Sequence, residues 1–185
     1  MLLNGPSSSG KSSIGRAMLP LLDDPWFFVP VDAVSGLRST VYRAPLDEDG
    51  VAAMLTRTRR GSHRTVAALA SVGNDVIMDY PLSEPWRIRD LLAVLDGFDV
   101  TLVDVTCAPE ELERRERARG DRPLGLAASQ RVYVHADHDL AVDTTTNSAA
   151  ECAAAIVRHL EAQPDTRAFD RLRVRFLCEA TAERR

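Results

Sequence analysis

The chain is 185 residues long, and several things are scarce in it. It has one lysine, Lys11, in an otherwise arginine-rich sequence, so the position that kept lysine stands out by contrast. Its three cysteines, Cys107, Cys152 and Cys178, are odd in number and unclustered. That set fits reduced thiols and excludes a disulfide frame or a cysteine-rich zinc site. No run of ~18 apolar residues occurs, so no helix spanning a membrane is expected. The formal net charge of −4 argues against nucleic acid as the main partner. A signal peptide is not expected either, because the first residues read as part of a ligand-holding turn, and a cytoplasmic location follows as the expectation. No internal repeat and no long low-complexity segment is present. The length is that of one domain. We expect a single domain over 1–163, followed by a C-terminal extension over 164–185. The extension's weak amphipathic pattern fits either an extra helix or partial disorder.

The turn in question is the opening "MLLNGPSSSGKSS". Gly5 and Gly10 bracket four residues and are followed by Lys11 and Ser12, the G-x-x-x-x-G-K-[ST] spacing of a phosphate-binding loop. A loop that wraps a polyphosphate must aim consecutive backbone N–H groups inward, and glycine removes the side chains that would block the approach. The nucleotide-binding set is therefore Gly5, Pro6, Ser7, Ser8, Ser9, Gly10, Lys11, Ser12 and Ser13. A helix beginning near Lys11 points its partially positive end at the phosphates. Lys11 reaches the β- and γ-phosphate oxygens, and the Ser12 hydroxyl is the expected Mg²⁺ ligand.

Apolar runs predict parallel strands near Met1–Asn4, Trp26–Val31, Asp75–Met78, Val100–Thr106 and Leu140–Val142. Helical patterns lie between them. One starts at Lys11 and stops or bends at Pro20, and another covers about Ser62–Ser71 up to the Gly73-Asn74 turn. A third follows Pro85, a fourth opens on Pro109-Glu110-Glu111, and the last opens on the capping box Ser148…Glu151. Alternating strands and helices imply an α/β, three-layer αβα sandwich with a mainly parallel five-stranded sheet. Ligands gather at the carboxyl ends of such strands.

Two aspartates fall there. Asp32, after "WFFVPV", is the candidate base that accepts the proton of a hydroxyl under phosphorylation; as a plain alternative it caps the helix-compatible "AVSGL". Asp79, after "NDVIM", either holds a magnesium-bound water, orients the acceptor, or simply starts a turn. Asp104, in mid-strand within "TLVDVT", is expected at an edge or facing solvent. In "LERRERARGDRPLGLA", Arg114, Arg115 and Arg117 share a helix with Glu110, Glu111, Glu113 and Glu116, and the group reads as a solvated, ion-paired face. Gly120 and Pro123 break the helix around Arg119 and Arg122, a short lid carrying two planar cations suited to phosphate. The basic cluster Arg57, Arg59, Arg60, His63 and Arg64 reads either as a solvated helix start or as a surface for a polar or anionic acceptor, with Arg57 and His63 as tentative substrate contacts. "HADHD" has no convincing zinc-site spacing.

The segments "LLNGPSSSGKSS", "VDAV", "NDVIMDYPL", "ERARGDRPLGLAASQ", "YVHADHDLAVDTT" and "ECAAAI" resemble the chloramphenicol phosphotransferase family, kinases related to shikimate and nucleoside monophosphate kinases. The resemblance runs from residue 2 to about 156. It implies transfer of a γ-phosphate from ATP or GTP, with Mg²⁺, to a hydroxyl of a small antibiotic, with Asp32 as base and Lys11, Arg119 and Arg122 carrying charge. It further implies that Thr144 to Asn147 lie near the nucleotide base. The stretch from Arg38 to Ser71 is short and lacks the acceptor-side insertion of the chloramphenicol enzyme. A nucleoside- or sugar-containing antibiotic is therefore the expected acceptor. The other readings are a metabolic small-molecule kinase (shikimate-, gluconate- or nucleoside-type) and a nucleotide-binding regulatory protein. A homo-oligomer is left open.

Overall fold

A computed structural model describes residues 1–39, 45–120, 124–162 and 166–182, with side chains through residue 178. In chain order the elements are β1 (Leu2–Asn4), α1 (Lys11–Met18), β2 (Trp26–Val29), α2 (Ala33–Gly36), α3 (Glu48–Ser71), β3 (Asp75–Asp79), α4 (Pro85–Val94), β4 (Leu102–Thr106), α5 (Pro109–Arg119), α6 (Leu126–Ser129), β5 (Leu140–Asp143), α7 (Ala149–Glu161) and α8 (Ala168–Ala182). A single 3₁₀ turn, Leu19–Leu21, carries Pro20 and ends the first helix. The five strands form one sheet in the order β2-β3-β1-β4-β5, and every pairing is parallel.

The side-chain alternation of strands sorts the apolar residues into two cores. Leu2, Val76, Met78 and Leu102 face one way and meet Val66 of α3, Leu91 of α4 and Phe169 and Leu172 of α8. Leu3, Ile77, Val103 and Val105 face the other way and meet Ile14 and Met18 of α1 and Ile156 of α7. The result is helices on both sides of a buried sheet, and strands that read as nearly continuous apolar runs. The α7 start is the expected capping box: the Ser148 side chain accepts from the Glu151 amide, and the Glu151 side chain accepts from the Ser148 amide.

Two expectations need correction. α3 begins at Glu48, well before Ser62. Asp47 caps it by accepting from the Gly50 amide at 2.8 Å, and Glu48 and Asp49 place negative charge in its first turn. Gly50 and Gly61 weaken the sequence pattern of this helix, but packing of its buried face sustains it. Asp104 is neither at an edge nor facing solvent: β4 lies between β1 and β5, and the carboxylate is buried. Its Oδ1 accepts from Asn4 Nδ2 at 2.8 Å, and its Oδ2 lies 3.3 Å from His138 Nδ1.

Over the extension, α8 packs onto the first core with Ala168, Phe169 and Leu172 fully buried, and Asp139 Oδ1 accepts from the Ala168 amide at 2.6 Å. Among the described residues no helix is long and apolar enough to cross a membrane.

Candidate active site

The phosphate-binding turn leaves β1 at Asn4, in the middle of the sheet. A Cβ on Gly5 would stand 2.5 Å from the Val105 carbonyl oxygen and 2.8 Å from Ser9 Oγ, so the turn can lie against β4 only without that side chain. Gly10 enters α1 with φ of 93°, a backbone setting that side chains resist. The turn therefore wraps a small hollow at the start of α1, where unpaired helix amides collect.

Three polar groups meet at its floor. Lys11 Nζ donates to the Pro6 carbonyl at 2.7 Å and stands 3.8 Å from Asp79 Oδ1. The Ser12 hydroxyl donates to Asp79 Oδ2. Asp79 closes β3, the strand beside β1, in register with Leu3, which sets its carboxylate level with the turn. Lys11 is 6% exposed and Asp79 2%, so the pair is shielded from solvent. Asp79 Oδ1 and the Ser8 and Ser9 hydroxyls are buried without a hydrogen-bond partner among the described residues. Buried polar atoms in that state mark where a polar ligand belongs.

The opposite wall comes from α5 and the β5–α7 turn. Arg115 donates from Nε to Glu111 at 2.7 Å, from Nη1 to Thr144 Oγ1 at 3.1 Å and from Nη2 to the Thr144 carbonyl at 2.7 Å. Thr144 Oγ1 in turn donates to the Ser9 carbonyl at 2.8 Å, tying this wall to the turn. Hydrogen bonds from Arg114 and Arg115 hold the Glu111 carboxyl down at about 2, so it stays charged and keeps the arginines oriented. Arg119, one helical turn beyond Arg115, lines the same cleft of about 360 Å³, as do Gln130 and Asn147. The Gln130 side-chain oxygen accepts from the Ser7 amide at 2.6 Å.

Ser7, Ser8, Gly10, Lys11, Ser12, Ser13, Asp79, Arg119, Thr144 and Asn147, all singled out in the sequence, line this one cleft. Gly5, Pro6 and Ser9 belong to the same turn behind it. Asp32 is exposed at the N-cap of α2, with no side-chain cap bond, and its neighbour Val31 lines the cleft while Asp32 itself does not. Arg122 lies outside the described residues. Arg57 is exposed on α3, away from the cleft.

The basic cluster is not a helix start, since it lies in the middle of α3. His63 is fully buried, so it is not placed to touch an acceptor. Its Nδ1 stands 2.6 Å from Asp90 Oδ2, and its ring meets the edge of Tyr80 at 4.9 Å. Burial lowers the His63 pKa, with Asp90 opposing that shift. Arg60 and Arg64 also turn to Asp90, and Arg59 lies 3.5 Å from Glu84.

Three residues were misread or passed over. Arg115 faces the cleft and is not part of a solvated face; its i, i+4 spacing to Arg119 was the signal. Glu116 is buried, not solvated, and its two oxygens accept from the Gly125 amide at 2.9 Å and the Ala127 amide at 2.7 Å. It pins the start of α6 to α5. Gln130 carried no local signal, because its partner is 123 residues away.

Comparison with known proteins gives three findings. A family model described as "Chloramphenicol phosphotransferase-like protein" matches residues 1–161. A protein of Mycobacterium tuberculosis (strain H37Rv), provisionally named O-phosphotransferase Rv2636, is 30% identical over 200 residues, covering 96% of this chain and 88% of that protein. Among solved structures, the tunicamycin resistance protein of Deinococcus radiodurans superposes with a TM-score of 0.58 at 16% identity, covering 86% of this chain and 94% of the other. Shikimate kinase from Acinetobacter baumannii, in complex with shikimate, gives 0.57 at 15% identity, covering 89% and 94%. The fold is that of the P-loop kinases.

Proposed function

Because the chain belongs to the chloramphenicol phosphotransferase-like family, we propose that it is a kinase that moves the γ-phosphate of ATP or GTP onto a hydroxyl of a small molecule. The observation that carries this reading is the convergence of Lys11 and Ser12 on Asp79, inside a cleft whose other wall presents Arg115 and Arg119. Phosphoryl transfer demands little covalent chemistry of a protein and much positioned positive charge. Lys11 neutralises the terminal phosphates, and the amides of the turn and of the α1 start hold their oxygens. Arg119, with Arg122 from the lid, stabilises the charge that spreads over the transferred group, while Arg115 braces the wall through Glu111 and Thr144.

The residues present suit Mg²⁺. The Ser12 hydroxyl and Asp79, with its buried unbonded oxygen, are the oxygen groups that would hold it. When bound, the ion supplies positive charge to the phosphate oxygens. Asp32, next to the cleft wall at Val31, accepts the proton of the incoming hydroxyl. Thr144 and Asn147 flank the nucleotide base. The acceptor is a hydroxylated antibiotic, nucleoside- or sugar-containing rather than chloramphenicol, and the structural likeness to a tunicamycin resistance protein supports that class. The test is a screen of purified protein with ATP or GTP and Mg²⁺ against hydroxylated antibiotics and common metabolites. A product heavier by one phosphate identifies the acceptor. Saturation by one metabolite at low concentration, with no antibiotic modified, would replace the antibiotic by a metabolic substrate.

A further inference from the structure

On the far side of the 131–135 segment from the nucleotide cleft lies a second hollow, a groove of about 480 Å³ between α4, that segment and α8. It shares no lining residue with the cleft. Its size is that of a small-molecule site. We propose that this groove binds a small organic anion with an apolar body, separately from the nucleotide.

The charge of the lining is the first argument. Arg89 from α4, Arg131 from the connecting segment and Arg175 from α8 all line the groove, and no carboxylate does. Three cations facing one hollow in a chain of net charge −4 are a local inversion of sign. Elsewhere on this molecule arginines turn to acids, as Arg60 and Arg64 do to Asp90. Here Arg89 and Arg175 are held over an aromatic face, each 5.4 Å from the Phe176 ring centroid. Stacking leaves guanidinium N–H donors at the ring's edge to meet an anion in a planar, two-point fashion.

The second argument is the apolar part of the lining. His135 closes the back of the groove at 5% exposure, with its Nε2 3.5 Å from Asp104 Oδ1. Apart from Ser83 the rest of the lining is apolar, with Leu82 and Ile88 in the wall and Val134 60% exposed at the surface. An inorganic anion would leave that surface wet; an aromatic or branched aliphatic body would cover it.

The groove depends on α8, which lies beyond the residues that the family model matches. It also touches the segments that carry the cleft. Asn4, at the end of β1, donates to the Val132 carbonyl at 2.9 Å and accepts from the Leu82 amide at 2.9 Å, so one buried amide anchors both the 131–135 wall and the Leu82 wall.

The test uses the full chain and 8-anilinonaphthalene-1-sulfonate, a fluorescent anion with an apolar body, beside its uncharged analogue N-phenyl-1-naphthylamine. The expected result is saturable binding of the sulfonate that a non-hydrolysable ATP analogue does not displace. Binding should weaken about tenfold in Arg131→Gln, whose side chain is exposed, for loss of a charge-assisted contact. Val134→Glu, which sets a carboxylate at the exposed groove surface, should weaken it at least as much while the melting temperature stays unchanged. Equal affinity for the uncharged analogue, full displacement by the nucleotide analogue, or affinity unmoved in both variants would each overturn the proposal.

Discussion

The nucleotide cleft and the α3–α4 face differ in how their cations are used. On the nucleotide side Lys11, Arg115 and Arg119 line the cleft, and the one buried carboxylate among them, Asp79, also meets Ser12. On the α3–α4 face Arg59, Arg60 and Arg64 turn to Glu84 and Asp90, and His63 is sealed beneath them. Surface cations paired in this way contribute little binding energy to a ligand, because each must first leave its partner. The difference teaches that a basic stretch of sequence is not an anion site until its carboxylates have been counted. The nucleotide cleft keeps unmatched polar atoms around its turn, whereas Arg59, Arg60 and Arg64 each have a carboxylate partner.

Removing charge from the nucleotide wall should have the largest effect. Lys11→Met is expected to lower kcat by about 10³-fold, in line with loss of one preorganised transition-state contact. Steady-state phosphate transfer measures it, and a loss smaller than tenfold would mean that the turn binds nucleotide without taking part in transfer. Arg115→Ala should be next. It removes the bracket between α5 and Thr144, so kcat falls by about 10- to 100-fold through misplacement of the wall. An unchanged rate would return Arg115 to the solvated face that its sequence first suggested.

Legibility followed the range of the interactions. The turn from Gly5 to Ser13 was readable because its function is written in adjacent residues. The sheet was readable because each strand's apolar run is local. Glu116, Gln130 and Asp104 were not, since what each does depends on partners that only the fold brings near: the Ala127 amide, the Ser7 amide and Asn4. α3 was read only from Ser62 onward because the stretch before it carries Gly50 and Gly61, while the Asp47 cap that starts it is a short signal. The lid was half legible: Arg119 proved to line the cleft, and Arg122 falls among the residues the structure does not describe.

Glu116→Ala sharpens the comparison from the lid. Two backbone amides lose their acceptor, which destabilises the chain by about 2 kcal/mol. Denaturant unfolding should detect it, and a ΔΔG near zero would show that water replaces the carboxylate. The smallest effect belongs to the α3–α4 face. His63 is kept neutral by burial, so its folded pKa lies below the unfolded value of about 6.5. The unfolded chain therefore binds more protons as pH falls below that value, and this contribution to stability, full above it, is lost on acidification. Melting temperature between pH 7.5 and 5.5 should drop less steeply in His63→Phe than in the native chain. Parallel slopes would remove His63 from the pH response. His63→Phe should not alter nucleotide affinity.

The proposed division of labour has one wall grip the triphosphate while Asp32, beside it, takes the proton. Nucleotide affinity and phosphate transfer measured side by side on Asp32→Ala test this most directly. The prediction is affinity within about twofold of the native chain and transfer slowed by about 10²- to 10⁴-fold, the usual worth of a positioned base. A variant that still transfers phosphate at near the native rate would contradict it.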